Sequence, residues 1–202
     1  MSIYELKPKF QNLLRPVVRI LARVGVTPNQ VTISAFLLSL GVGIALFYAP
    51  ERRSLFFLVP VVMFLRMALN AIDGMLAREH EMKTDLGAFL NELGDVFSDT
   101  ILYLPFALIP GVSGVAVIFV VFLANMTEMA GVVAVQIGAS RRYDGPFGKS
   151  DRAAFFGGLA LLLALEVPLK SAWLNGILWG VCFLLMLTIF KRVAKALQEN
   201  KK

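Results

Sequence analysis

The chain is poor in the residues that soluble chemistry usually relies on. Only 17% of its 202 residues are charged, and it holds one cysteine and one histidine. Cys182 alone forms no intrachain disulfide and offers no thiolate metal cluster. His80 falls in a polar turn between two apolar runs, where a histidine is normally just solvated. The opening residues carry no short apolar core with a small-residue cleavage site, so no cleaved signal peptide is expected. Hydrophobic residues fill the gap at 57%. A soluble domain is about half apolar and about a quarter charged. Both departures exclude a disordered chain, a collagen-like repeat and an ordinary soluble enzyme.

Apolar runs fall at 30–49, 55–76, 86–109, 113–138, 153–169 and 172–190, and Pro50, Pro110-Gly111 and Pro168 punctuate three of the connections. At about 20 residues per crossing, these are six membrane helices. Basic residues alternate sides between them. Lys7, Lys9, Arg15, Arg19, Arg23, Arg78, Lys83, Arg141, Arg142, Lys149, Arg152, Lys191, Arg192, Lys195, Lys201 and Lys202 fall on one side, which is 16 of the 20. Arg52, Arg53 and Lys170 fall on the other, and Arg66 lies inside a span. Cytoplasmic loops carry the excess of Lys and Arg, so both termini are expected in the cytoplasm. The net charge of +6 therefore reads as membrane topology, and no nucleic-acid partner is expected. Ahead of the first span, Arg15, Arg19 and Arg23 recur opposite Leu13, Leu14, Val17, Val18, Leu21 and Val24. This pattern predicts an amphipathic helix lying in the cytoplasmic interface over residues 1–28, against anionic lipid. Thr27-Pro28 then supplies an N-cap and a first-turn proline for the membrane domain, residues 29–202.

An ionised group at the bilayer centre costs from about 3 kcal/mol upward, so intramembrane charges are functional candidates. The second span carries Arg66, Asn70 and Asp73; the third carries Asn91, Glu92, Asp95 and Asp99; the fourth carries Glu128. Asn70 and Asp73 share a face at i, i+3, and Asn91, Asp95 and Asp99 share one at i, i+4, i+8. The two helices are consecutive and antiparallel, so these faces confront each other across a cleft open to the cytoplasm. One or two polar residues would do no more than lock helices together. This many, with Gly74, Ala77 and Gly87 on the same stretch, call for a ligand.

Residues 70–95 read Asn70-x2-Asp73-Gly74-x2-Ala77-Arg78-x8-Gly87-x3-Asn91-x3-Asp95. This resembles the CDP-alcohol phosphotransferase family, whose signature is D-x2-D-G-x2-A-R-x8-G-x3-D-x3-D. Thr27-Pro28-Asn29 with Thr32, and Gly148-Lys149, also look like the family. The resemblance implies an all-α integral membrane enzyme of the bacterial inner membrane, and a homodimer. It would move a phosphatidyl group from CDP-diacylglycerol to a small polar alcohol and release CMP. It further implies Mg²⁺ or Mn²⁺ at the four signature positions, here Asn70, Asp73, Asn91 and Asp95, with Asp95 as general base. Gly74, Ala77, Arg78, Gly87, Asn29 and Thr32 would hold the nucleotide. The chemistry asks for similar residues independently: hard cations on carboxylates neutralise a diphosphate, a base takes the hydroxyl proton, and an arginine forks two phosphate oxygens.

Two signature acids are asparagines in this chain. Their loss removes two negative charges, so metal affinity is expected to fall, or one ion to bind in place of two. A catalytically silent lipid- or nucleotide-binding protein of the same fold is the competing reading. Asp99 and Arg66 lie 14 and 12 residues from the cytoplasmic ends of their helices, similar depths that predict an ion pair between them. In the loop after the fourth span, Lys149, Arg152 and Arg141 are candidates for holding the phosphate of a phosphorylated acceptor such as glycerol 3-phosphate. Asp151-Arg152 stands where family members of that kind carry a second lysine, and inositol phosphate and serine remain alternatives.

Overall fold

The computed structural model describes residues 3–200, with side chains from residue 8 onward. The Lys7 side chain, and Lys201 and Lys202, lie outside the described residues. Seven α-helices follow one another: α1 (Ile3–Arg23), α2 (Pro28–Tyr48), α3 (Leu58–Glu79), α4 (Asp85–Tyr103), α5 (Gly114–Gln136), α6 (Lys149–Ala164) and α7 (Ser171–Glu199). Short 3-10 helices at Arg53–Phe57 and Leu104–Leu108 lead into α3 and out of α4. No strand occurs among the described residues.

The helix ends follow from local chemistry. Gly25, at φ +78°, closes α1: its N–H reaches the Ala22 carbonyl at 3.2 Å, and Val26 N–H reaches Leu21 at 2.9 Å. That is a Schellman termination, with Val26 and Leu21 packed against one core. Thr27 then caps α2 reciprocally. Its hydroxyl takes the Gln30 N–H at 3.3 Å, and the Gln30 side chain takes the Thr27 N–H at 2.9 Å. At the head of α6 the Asp151 carboxylate takes the Gly148 N–H at 2.8 Å, so the helix starts at Lys149, four residues before the apolar run. Asp151 thus has a capping role where a lysine was the family expectation. At the other end, α7 continues nine residues past its apolar run to Glu199. Its polar last turns are held by Ser140, Arg142 and Asp144 of the loop between α5 and α6, which hydropathy does not register.

Among the described residues, helices at four of the six expected crossings are long and apolar enough to cross a membrane: Pro28–Tyr48, Arg53–Glu79, Gly114–Gln136 and Ser171–Glu199. Their outward faces carry exposed Leu37, Phe47, Phe64, Ile118, Phe122, Ile177 and Phe183, as a lipid solvent favours. Of the other two, α4 carries Asp85, Glu92, Asp95 and Asp99, and α6 has only 16 residues.

The chain divides into two compact units. In the first, Met1–Val42 with Val61–Ser98, Val18 of α1 is fully buried against Val31, Ile72, Met75 and Leu76. Burying such a side chain contributes about 1.5–3 kcal/mol. The opposite side of α1 leaves Leu13, Val17, Ile20 and Val24 exposed. In the second unit, Gly43–Pro60 with Asp99–Lys202, α5 lies along α7. Tyr103 stacks on Phe156 with ring centroids 4.0 Å apart, and Phe106 meets the same ring edge-on.

Candidate active site

In the first unit a cavity of about 670 Å³ opens between the starts of α2 and α4 and the end of α3. Eight of the expected site residues line it: Asn29, Thr32, Asp73, Gly74, Ala77, Arg78, Gly87 and Asn91. Met82, Lys83, Thr84 and Asp85 of the connecting turn complete its rim and were not anticipated. Thr84 caps α4 by accepting the Gly87 N–H at 2.9 Å, and the same hydroxyl receives the Asn29 amide at 3.3 Å. A Cβ on Gly87 would stand 2.7 Å from Asn29 Oδ1 and 3.0 Å from Thr84 Oγ1, so only glycine permits this approach. A Cβ on Gly74 would stand 3.2 Å from both terminal nitrogens of Arg78. The guanidinium therefore folds back over the bare backbone of its own helix.

The four signature positions form two cross-helix pairs. Asn70 of α3 donates its amide to Asp95 Oδ1 of α4 at 2.9 Å. Arg66 Nη2 approaches the same oxygen at 3.4 Å. Asp73 of α3 accepts the Thr32 hydroxyl at 2.7 Å and has Asn91 of α4 beside it. Asp73 and Asn91 line the cavity, and Asn70 and Asp95 engage each other one turn further along the same two helices. The closed Asn70–Asp95 pair depends on the residue type at position 70. The reason is chemical: an asparagine can donate to a carboxylate, and four aspartates could not satisfy one another this way.

Among the described residues no three acidic, histidine or cysteine side chains gather into one cluster. Two carboxylates remain, and each amide has an oxygen that ligates once the amide turns over. Two carboxylates and two amide oxygens fit one hard divalent ion.

In the second unit the loop after α5 is strapped to α7. Asp144 pairs with Arg142 at 2.7 Å and with Lys195, and Phe147 N–H donates to Thr188 Oγ1 at 3.1 Å. The Lys195 ammonium on Asp144, with Arg142 beside it, holds this carboxyl below its ordinary range. Arg141 stacks over Tyr143 at 4.5 Å. The expected acceptor-binding cations Arg141 and Arg152 both turn to Glu128 of α5, at 3.3 and 2.7 Å. Lys149 opens α6. Depth counting set Arg66 against Asp99; it did not anticipate Arg66 meeting Asp95, or Asp99 lying 3.9 Å from Arg152. Sequence reading also missed Arg192, which reaches Glu128 at 3.6 Å, because it was absorbed into the cytoplasmic charge. An arginine two residues past the end of an apolar run gives no signal of its own.

Comparison with known proteins agrees with this geometry. The model of the CDP-alcohol phosphatidyltransferase family matches residues 25–190. The inner membrane protein YnbA of Escherichia coli is 47% identical over 189 residues, covering 93% of this chain and 92% of that protein. A crystal structure of Mycobacterium tuberculosis phosphatidylinositol phosphate synthase with manganese and citrate superposes with a TM-score of 0.72 at 23% identity, covering 90% of this chain and 87% of the other. The same enzyme with CDP-DAG bound also gives 0.72, at 21% identity over 90% and 92%. At these identities the crystal structures speak for the fold. The apolar helices and the membrane relative make this a membrane protein, and with its signature region inside the matched segment the chain belongs to the CDP-alcohol phosphatidyltransferase family, an enzyme that transfers phosphatidyl groups.

Proposed function

We propose that this enzyme transfers the phosphatidyl group of CDP-diacylglycerol to a small polar alcohol and releases CMP. The carrying observation is the cavity of about 670 Å³ that gathers Asn29, Thr32, Asp73, Gly74, Ala77, Arg78, Gly87 and Asn91 from three helices. Gly74 and Gly87 leave backbone bare where a base and ribose need close approach, and Arg78 and Lys83 offer cationic donors to the diphosphate. Thr32, donating to Asp73, fixes that carboxylate against rotation. Asp95 takes the proton of the acceptor hydroxyl, oriented for this by the Asn70 amide. The hydroxyl oxygen then bonds to the lipid phosphorus, and the bond to the bridging oxygen breaks with its electron pair leaving on CMP. A divalent ion, held by Asp73 and Asp95 with the amide oxygens of Asn70 and Asn91, would supply charge neutralisation for the diphosphate.

Six crossings with both termini in the cytoplasm of a bacterial inner membrane suit this chemistry. The alternation of 16 of 20 basic residues supports that orientation. The exposed Leu13, Val17, Ile20 and Val24 on α1, beside Arg19 and Arg23, support its lying in the interface. The test is release of CMP from CDP-diacylglycerol in vesicles, with and without a panel of polar alcohols. Alcohol-dependent release is expected. Release at one rate whatever alcohol is present, or none at all, would contradict the proposal.

A further inference from the structure

Three guanidinium groups converge on one carboxylate in the second unit. Glu128 Oε1 accepts from Arg152 Nη2 at 2.7 Å and lies 3.6 Å from Arg192 Nη1, and Oε2 meets Arg141 Nη2 at 3.3 Å. The groups come from α5, α6, α7 and the loop after α5. The side chains of Arg152 and Arg192 are 1% and 2% exposed, and that of Glu128 is 12% exposed. Arg152 also donates to Thr127 Oγ1 at 3.1 Å. Arg192 holds the Thr127 carbonyl and donates its Nε to the Asp144 carbonyl at 3.1 Å. Gly131, one turn after Thr127, makes room: a Cβ there would stand 2.7 Å from the Arg142 carbonyl and 3.3 Å from Arg192 Nη1.

A carboxylate and a phosphate monoester present similar oxygens to arginine forks. In this chain the carboxylate is covalently part of the protein. An acceptor bringing its own phosphate would have to place a dianion beside Glu128 and draw two nearly sealed arginines away from their carbonyl and hydroxyl partners. Of the three cations that sequence reading assigned to an acceptor phosphate, Lys149, Arg152 and Arg141, the two arginines already serve Glu128.

We infer that Glu128 is the built-in counter-anion of this arginine cluster and sets the class of acceptor: a neutral polar alcohol without a phosphate group. This rests on the transferase reading above. The test compares matched acceptors, glycerol with glycerol 3-phosphate and inositol with inositol phosphate, in the CDP-diacylglycerol vesicle assay. The wild type should favour the unphosphorylated member of each pair by about tenfold or more in kcat/KM. Glu128→Gln should move that ratio toward the phosphorylated member by a similar factor, through KM.

Thermal unfolding of the purified membrane protein against inorganic phosphate gives a readout without turnover. Phosphate should leave the wild type unmoved and should raise the lowered midpoint of Glu128→Gln. A wild type that prefers phosphorylated acceptors, or that phosphate stabilises as strongly as the variant, overturns the inference. If Glu128→Gln does not fold, the wild-type ratio decides alone. If no acceptor releases CMP, the transferase reading fails, and the phosphate response still decides whether Glu128 fills the cluster.

Discussion

Replacing Asn70 by aspartate would restore the charge that the signature lacks. In the native chain the Asn70 amide donates to Asp95 Oδ1 at 2.9 Å. An aspartate at 70 has no proton to give, so two carboxylates face each other at about that separation. Their repulsion is about 6 kcal/mol at an effective dielectric constant of about 20. Arg66, 3.4 Å from the same Asp95 oxygen, offsets part of it. The remainder is relieved when a cation enters. If even about 1.4 kcal/mol of it appears as divalent-ion affinity, binding tightens about tenfold. Thermal unfolding midpoints against Mn²⁺ concentration measure this without requiring turnover. Asn70→Ala is the control, since it removes the donor without adding charge and should lower the midpoint with no gain in Mn²⁺ response. A Mn²⁺ response of Asn70→Asp equal to that of the wild type would refute the assignment of these side chains to an ion site.

Gly87→Ala should raise the KM for CDP-diacylglycerol several-fold with little change in thermal midpoint. Its Cβ displaces the Asn29 side chain at the cavity rim and not a buried group, and steady-state kinetics beside a melt will show this. Gly145→Ala should destabilise the protein by about 2 kcal/mol or more, visible in denaturant or thermal unfolding. Gly145 sits at φ +138°, and a Cβ would stand 2.3 Å from Thr188 Cγ2. The Lys195 and Arg142 partners of Asp144 contribute stability that is complete above the ordinary carboxylate value of 3.8 and is lost as pH falls through the depressed folded value. Asp144→Asn should therefore be less stable than the wild type at neutral pH, with the difference shrinking in acid melts.

The apolar runs and punctuating residues made the helices legible, and Thr27-Pro28 marked the start of α2, whereas the segment expected over 1–28 is helical only to Arg23. Boundaries that depend on polar capping were less visible. Asp151 starts α6 ahead of its apolar run, and contacts such as Arg142 with Glu199 keep α7 helical beyond its own. The cavity-lining residues were readable because i, i+3 and i, i+4 spacings fix faces within single helices. Partner choice across helices was not. Spacing says that Asn70 and Asp95 face one cleft, but only side-chain hydrogen bonding decides that the amide closes on the carboxylate. The Glu128 cluster was least legible, because its three arginines lie 13, 24 and 64 residues downstream in three different elements.

The decisive measurement is a paired count of CMP released and phosphatidyl-alcohol formed by the wild type and by Asp95→Asn in CDP-diacylglycerol vesicles supplied with a neutral polar alcohol. The wild type should give the two products in equal amounts, and Asp95→Asn, with its fold intact by thermal unfolding, should lose both by about a hundredfold or more. CMP without a matching lipid product, or a turnover that Asp95→Asn leaves unchanged, would contradict the account.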